Sequence, residues 1–444
     1  MKPSYFKLAT SAPVHSIRKL MLIVASLFIV SCASYTQETE TIRSAVYASN
    51  YSAALEKIDK SSLATQSRNK ALFLMERGTI LYLDQNYRGA AKDWRTASEH
   101  IDKLYTTSIS NTAASFAVND SYSDYEGELH EKVLLPTFSA LAYLSAGDLS
   151  GARVEVRRTD ELMTALENAG NDKPKYQRDA FTHYLSALIY EAGREWDSAI
   201  IEYKRGLDNL KSGKSWNDSK ISPDHFALPL CRLAKLRNRN TLLIEARESA
   251  RNKAECDKQS DLSTQAELIV FYENGRSPIK VARDIVLPIQ GQVVRVSFPS
   301  YERKSYSAAG AMVVVDGNRE GRTSLIEDIG LLAEKSLEAR RTKDIIKMTA
   351  RIIAKDQAAR ATGRALGPLA GLAASIVGAV TETADTRGWT SLPGELQVFR
   401  VPLKAGLSGK NIQVEVLPEN GKPLRQVVQV QPNQKIFLRL RTFY

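Results

Sequence analysis

Residues 72–100 read LFLMERGTILYLDQNYRGAAKDWRTASEH, and the spacing of small and large side chains in this stretch decides the fold. Apolar residues recur every three or four positions on both sides of Asp84-Gln85-Asn86, which predicts two amphipathic helices joined by a tight turn. Gly78, Ala90 and Ala97 are small where two helices must approach closely, and Leu81, Tyr87 and Trp94 are large enough to fill the gaps. A helix pair of this kind cannot bury its apolar face alone and calls for stacked neighbours.

Working outward, the neighbours are present. Residues 139–161 (SALAYLSAGDLSGARVEVRRTDE) place Ala140, Tyr143, Leu149, Ala152, Val156 and Thr159 at the same offsets, with a turn at Gly147-Asp148. Residues 182–207 (THYLSALIYEAGREWDSAIIEYKRGL) repeat the pattern through Ala187, Tyr190, Trp196, Ala199, Tyr203 and Gly206, with a turn at Gly193-Arg194. The pattern resembles the tetratricopeptide repeat. Equivalent positions Gly78, Ala140 and Ala187 are separated by more than the usual 34 residues, so insertions are expected between repeats. A half-repeat at residues 50–59 (NYSAALEKID) precedes them, and residues 225–257 are expected to form a further helix pair that closes the array.

After Asp261 the periodicity changes from about 3.6 to 2. AELIVFYENG, KVARDIVLPI, QVVRVSFPSY and AMVVVDGN read as strands, as do GELQVFRVPL, KNIQVEVLPENGKPLRQVVQV and QKIFLRLRTFY, with a hairpin turn at Glu419-Asn420-Gly421. Between the two strand groups, residues 324–383 are expected to be helical and end in GRALGPLAGLAASIVGAV at 363–380. Gly363, Gly367 and Gly371 recur there at four-residue spacing. That segment is expected to be a hairpin buried against the sheet; the alternative is a self-associating or membrane-inserting glycine zipper. The fold class is therefore α+β: an N-terminal α-solenoid of tetratricopeptide-like helix pairs at 41–261, then a β-sandwich-like domain with a helical insertion at 262–444.

The N-terminal end bears on location. Residues 1–31 carry Lys2, Lys7, Arg18 and Lys19, no acidic residue, and the apolar run LMLIVASLFIV at 20–30. These are the basic and apolar regions of a signal peptide. Eleven residues of helix span about 17 Å, too little for a hydrocarbon core of about 30 Å. Ile29-Val30-Ser31-Cys32 resembles the lipobox of bacterial lipoproteins. That resemblance implies cleavage between Ser31 and Cys32 and a covalent lipid on Cys32, with no other cofactor. Two or three acyl chains anchor a protein stably, and Ala33 and Ser34 point to the periplasmic face of the outer membrane. Residues 32–40 then serve as a lipidated spacer. Removing four cations from 61 leaves 57 against 50 acidic residues, a modest basic surplus on a solvated surface. Nucleic acid is not an expected partner.

Cys231 and Cys256 are the remaining cysteines. On two helices reversing once near 237–240 they would be offset by roughly 14 Å, beyond disulfide reach, so two buried thiols are expected.

The chemistry of an enzyme is missing from the sequence. His100, His130, His183 and His225 form no i, i+4 pair, and there is neither a CxxC nor a GxSxG. The GKS at 213–215 lacks the first glycine of a phosphate loop, since Asp208 stands there, and it follows a helix. Acidic pairs such as Glu126/Glu128 and Glu155/Asp160 read as surface charge. No metal site and no catalytic residue is expected. What remains is binding: in such arrays the first helix of each pair lines a concave groove, and Thr79, Tyr82, Thr137, Tyr184 and Glu191 occupy the matching positions.

Five stretches together, NDSYSDYEGELHEKVLL (119–135), LAYLSAGDLSGARVEVRR, ELIVFYENGRSPIK, SLIEDIGLLAEKSLEARR and ADTRGWTSLPGELQV, resemble an uncharacterised family of bacterial tetratricopeptide lipoproteins. The resemblance implies fold and location, and a link to peptidoglycan synthesis; the lipobox, the three repeats and the lack of a catalytic constellation lead to the expectation of an envelope scaffold or adaptor with a periplasmic or outer-membrane protein partner. The alternative is an oligomerising, membrane-active component built on residues 363–380.

Overall fold

The computed structural model describes residues 35, 39–110, 123–168, 176, 179–212, 216, 219–259, 265–289, 292–366 and 384–444. The signal peptide, Ser31 and Cys32, and most of the glycine-rich segment at 363–380 lie outside the described residues. Among the described residues, no helix is long and apolar enough to cross a membrane.

The first half is a stack of helix pairs. They are α1 (Glu40–Tyr47) with α2 (Tyr51–Asp59), a short α3 (Ser62–Thr65), α4 (Lys70–Leu83) with α5 (Tyr87–Ser110), and α6 (Leu129–Ser145) with α7 (Leu149–Glu167). Then follow α8 (Ala180–Ala192) with α9 (Trp196–Ser212) and α10 (Asp224–Leu236) with α11 (Asn240–Ser249), closed by α12 (Lys253–Lys258). Each pair reverses through one residue in the left-handed region: Ser49, Gln85, Gly147, Arg194 and Asn238, with φ between 53° and 74°. In the first three pairs an Asn or Asp follows, and its side chain accepts an amide two or three residues into the next helix: Asn50 from Ala53, Asn86 from Gly89, Asp148 from Gly151. The expected repeat residues are buried. Ala90, Trp94, Ala152, Ala187, Ala199 and Tyr203 expose nothing, and Ala140 only 1%. Gly78 is obligatory, because a Cβ there would stand 2.5 Å from Trp94 Nε1, which donates to Met75 O at 3.0 Å.

The half-repeat at 50–59 thus belongs to a complete pair, and the closing pair at 225–257 is present with a modification. Helix α11 stops at Ser249, and the chain turns again before α12. That second reversal cancels the offset expected from a single turn, and Cys231 and Cys256 are disulfide-bonded with Cα atoms 5.6 Å apart. The expectation of two separate thiols is corrected accordingly.

The second half contains β1 (Glu267–Asn274), β2 (Ile279–Ile289), β3 (Gln292–Glu302), β4 (Met312–Val315), β5 (Asn318–Arg322) and β6 (Ser324–Asp328). The helix α13 (Ile329–Leu366) precedes β7 (Glu395–Pro402), β8 (Asn411–Leu417), β9 (Leu424–Gln429) and β10 (Lys435–Arg441). Two points differ from expectation. Residues 324–328 form a strand paired with β7 before any helix begins, and the polar run 318–322 is an edge strand.

Among the described residues the strands build two four-stranded sheets, β10-β1-β7-β6 and β5-β4-β8-β9, while β2 and β3 pair only with each other. β1 runs parallel to β10 and antiparallel to β7. Alternation along β1 separates its two faces. Leu268, Val270 and Tyr272 pack with Val313, Val414, Val416 and Leu438 in the core between the sheets. Ile269 and Phe271 join the core of the helical array. The result is three layers, with the first sheet held between the array and the second sheet.

Candidate interaction site

The array's concave face gathers the five residues that the repeat pattern nominates, and the chain's own β-domain covers it. Thr79, Tyr82, Thr137, Tyr184 and Glu191 are each 7% exposed or less. The five side chains are buried within the chain itself. The concave face's expected role as an open surface for a partner is corrected by that burial.

At one end the loop 385–392 lies in the groove as a bound peptide would. Trp389 sits against Trp94 and Phe138, with ring centroids 5.7 and 5.9 Å away, and donates its indole N–H to Thr79 Oγ1 at 2.8 Å. Its backbone N–H donates to Glu131 at 2.7 Å, and Thr390 donates both its N–H and its hydroxyl to Glu76, at 2.6 and 2.8 Å. Tyr35 donates to Glu76 and to Gly388 O. Burial pushes the Glu76 carboxyl up, and the hydrogen bonds from Thr390 and Tyr35 oppose this. Arg387, clamped by Asp385, reaches Asn69 and Ser123 O.

In the middle, Tyr82 donates to Glu273 of β1 at 2.7 Å, and the Arg439 guanidinium of β10 lies 4.0 Å above the Tyr82 ring. Thr137 serves the helices themselves, bonding Val133 O and Thr182.

At the far end is a buried ionic cluster. Glu191 of α8 and Glu267 of β1 share Arg232 of α10, Arg400 of β7 and Lys435 of β10. Burial alone would raise both carboxyls, but the three cations outweigh it and hold both well below the usual carboxylate range. Tyr184 lies beside this cluster, and burial pushes its phenol up. Next to the cluster is a cleft of about 430 Å³ lined by Tyr184, His225, Leu228, Arg232, Lys258 and Phe399, among others. His225 is held neutral by burial, its pKa lowered to about 4, with Nε2 against Leu325 O and Ser324 Oγ.

β6 makes a further joint. Glu327 accepts the N–H groups of Ala180 and Phe181 at the start of α8, at 2.8 and 3.2 Å. Burial, and then the neighbouring Asp179, push the Glu327 carboxyl well up.

The remaining nominees are structural. His183 Nδ1 pairs with Glu202 at 2.7 Å. Glu155 pairs with Arg95 and Arg158, and Glu128 with Lys280 and Arg340. Among the described residues no group of three or more His, Cys, Asp or Glu is arranged to hold a metal ion.

Sequence reasoning missed Glu76, Glu131, Glu267, Arg400 and Trp389. Glu76 carried a signal: it is a carboxylate in the middle of a mostly apolar helix, where an unpaired buried charge would be prohibitive.

No family model matches the chain, and no curated protein matches it. Among solved structures it is similar to the apo form of RapI, at 11% identity over 55% of this chain and 62% of RapI's length, with a TM-score of 0.36. It is also similar to PilF of Pseudomonas aeruginosa, at 17% identity over 52% of this chain and 82% of that one, with a TM-score of 0.30. A third likeness is PilW, described as a widely conserved type IV pilus biogenesis factor, at 12% identity over 48% and 89%, with a TM-score of 0.23. These are partial likenesses of fold and carry nothing about binding.

Proposed function

We propose that this chain is a lipid-anchored scaffold of the bacterial envelope, without enzymatic activity. In this reading it presents protein-binding surfaces on the outside of a single rigid body, not in the concave groove of its repeats. The observation that carries this is the filled groove. Glu76, Thr79, Tyr82, Glu131 and Glu191 all satisfy their polar groups on residues 267–441 of the same chain. An incoming peptide would have to break these bonds and re-expose Trp389. The partner surface is therefore assigned to the convex helices α5, α7, α9 and α11 and to the outer face of the second sheet. The lipobox at 29–32 supports the anchor, and the Cys231–Cys256 bridge suits an oxidising compartment. The outer membrane as location, and a role near peptidoglycan synthesis, rest on the resemblances described above.

Two measurements test the reading. Intact mass of the membrane fraction should show a diacylglycerol-modified N-terminus at Cys32 that is lost in Cys32→Ala. Photo-crosslinking from exposed convex positions such as Val154 or Ile201, 46% and 51% exposed, should capture a protein partner. Recovery of lipid alone from every convex position sinks the scaffold reading.

A further inference from the structure

The cleft beside the buried ionic cluster plays no part in the scaffold reading. Its volume, about 430 Å³, falls in the range of about 300–1,000 Å³ that small-molecule sites occupy. It opens along the seam between the two halves of the chain. Tyr184 of α8, His225 and Leu228 of α10 and Lys258 of α12 line it from the helical array, and Phe399 and Arg400 of β7 line it from the first sheet.

The buried part of the lining is positive. Tyr184 is 1% exposed, Glu267 2% and Arg232 4%. Every cation of the ionic cluster is engaged by Glu191 or Glu267, so none is spare. The cluster nonetheless sets three cations, Arg232, Arg400 and Lys435, against two carboxylates, which leaves a surplus of one positive charge (3 − 2) away from water. Toward solvent the cleft meets exposed Lys258 and half-buried Asp224 and Glu255, and Asp224 already accepts the Arg251 N–H at 2.7 Å. Charges near water are screened and buried ones are not, so the buried surplus sets the sign of the group that the cleft favours.

Tyr184 supplies a specific contact. Its ring is fixed edge-on against Tyr203, His225 and Phe226, with centroids 6.1, 6.1 and 6.0 Å away. Burial keeps its phenol protonated, and its polar neighbour is the Arg400 guanidinium. A guanidinium has donors only. Among the described residues the Tyr184 hydroxyl proton therefore has no acceptor, a costly arrangement for a buried O–H that a ligand oxygen would relieve. The remaining wall, Leu228, Val398, Phe399 and Pro402, is apolar.

We propose that this cleft binds a small organic carboxylate with an apolar body. The carboxylate accepts the Tyr184 hydroxyl proton and faces the positive cluster, and the apolar body lies against Leu228, Phe399 and Pro402. Such a ligand touches α8, α10 and β7 at once, so its binding fastens the helical array to the first sheet.

The test uses the mature-length chain carrying Cys32→Ala, purified without detergent so that nothing competes for the cleft. The probes are octanoate and 4-phenylbutyrate, each compared with its own primary amide by titration calorimetry. At least one of the carboxylates should bind once per chain and raise the melting temperature with concentration, and its amide should bind about tenfold more weakly. Tyr184→Phe keeps the ring contacts and removes only the hydroxyl. It should weaken carboxylate binding about tenfold and amide binding less, because a hydrogen bond to a charged acceptor is the stronger one. Leu228→Trp fills the cleft and should abolish binding of both. An unchanged circular dichroism melt of the unliganded variants controls for folding, and Tyr184→Phe decides the matter if Leu228→Trp does not fold. Absence of saturable binding by both carboxylates overturns the proposal, as does equal binding of the amides or an undiminished affinity in Tyr184→Phe.

Discussion

The two faces of the first sheet are built by opposite rules. Toward the second sheet, β1 presents Leu268, Val270 and Tyr272 to a core of valine, isoleucine and leucine. Toward the helical array, the same strand presents Glu267 and Glu273 at its ends with Ile269 and Phe271 between them. An aliphatic core tolerates changes that conserve volume. A buried carboxylate accepts one arrangement of partners, so the array-facing side sets where the array docks, and the sandwich-facing side supplies bulk burial.

The sharpest way to break that contrast is to remove a cation from the array-facing side. Arg400→Met leaves Glu191 and Glu267 with Arg232 and Lys435 alone, and should cost about 3–5 kcal/mol in urea unfolding at pH 7. Ile412→Val, fully buried on the sandwich side, should cost about 1 kcal/mol. Equal losses would erase the distinction. The same network predicts an acid limit. Glu191 and Glu267 have folded pKa values below their unfolded ones, so their contribution is present above about pH 4.5 and is lost as the pH falls toward the folded values. In Arg400→Met that acid loss should shrink.

Removing the disulfide in Cys231→Ala/Cys256→Ala should cost about 3 kcal/mol, given a sequence separation of 25, and the loss should appear equally in reduced wild-type protein. An unchanged midpoint would show that α12 is held by its other bonds, such as those of Lys235 to the carbonyls of Cys256 and Asp257.

The smallest effect sharpens the picture at β6. The raised folded pKa of Glu327 means that its stabilising protonated form is fully present below the unfolded value and is lost as the pH rises through the folded one. Glu327→Gln keeps an acceptor for Ala180 and Phe181 without the charge. It should match wild type near pH 5 and exceed it by up to about 1 kcal/mol near pH 9. A variant weaker than wild type at both pH values would assign the joint to the ionised carboxylate.

The repeats were legible because their determinants are local: a small residue against a tryptophan sixteen positions away, and a turn before an Asn or Asp cap. The groove residues were legible in position, since first-helix spacing places them on one face. Their covering was not, because Thr79 meets Trp389 and Glu191 meets Arg400 across more than two hundred residues, and no period links such pairs. The disulfide was misjudged for want of a second reversal after Ser249. The strand 324–328 was absorbed into the helical pattern that follows it, since five residues carry too little alternation to compete.

The parallel pairing of β10 with β1 imposes an order of events on biosynthesis. Lys435, which completes the charge balance around Glu191 and Glu267, arrives 168 residues after Glu267. A chain made from its N-terminus therefore has its helix pairs complete while their inner face is still uncovered. Those apolar and acidic surfaces stay open until residues 435–441 follow. A prematurely stopped chain would carry its own mark for disposal, an array that nothing covers.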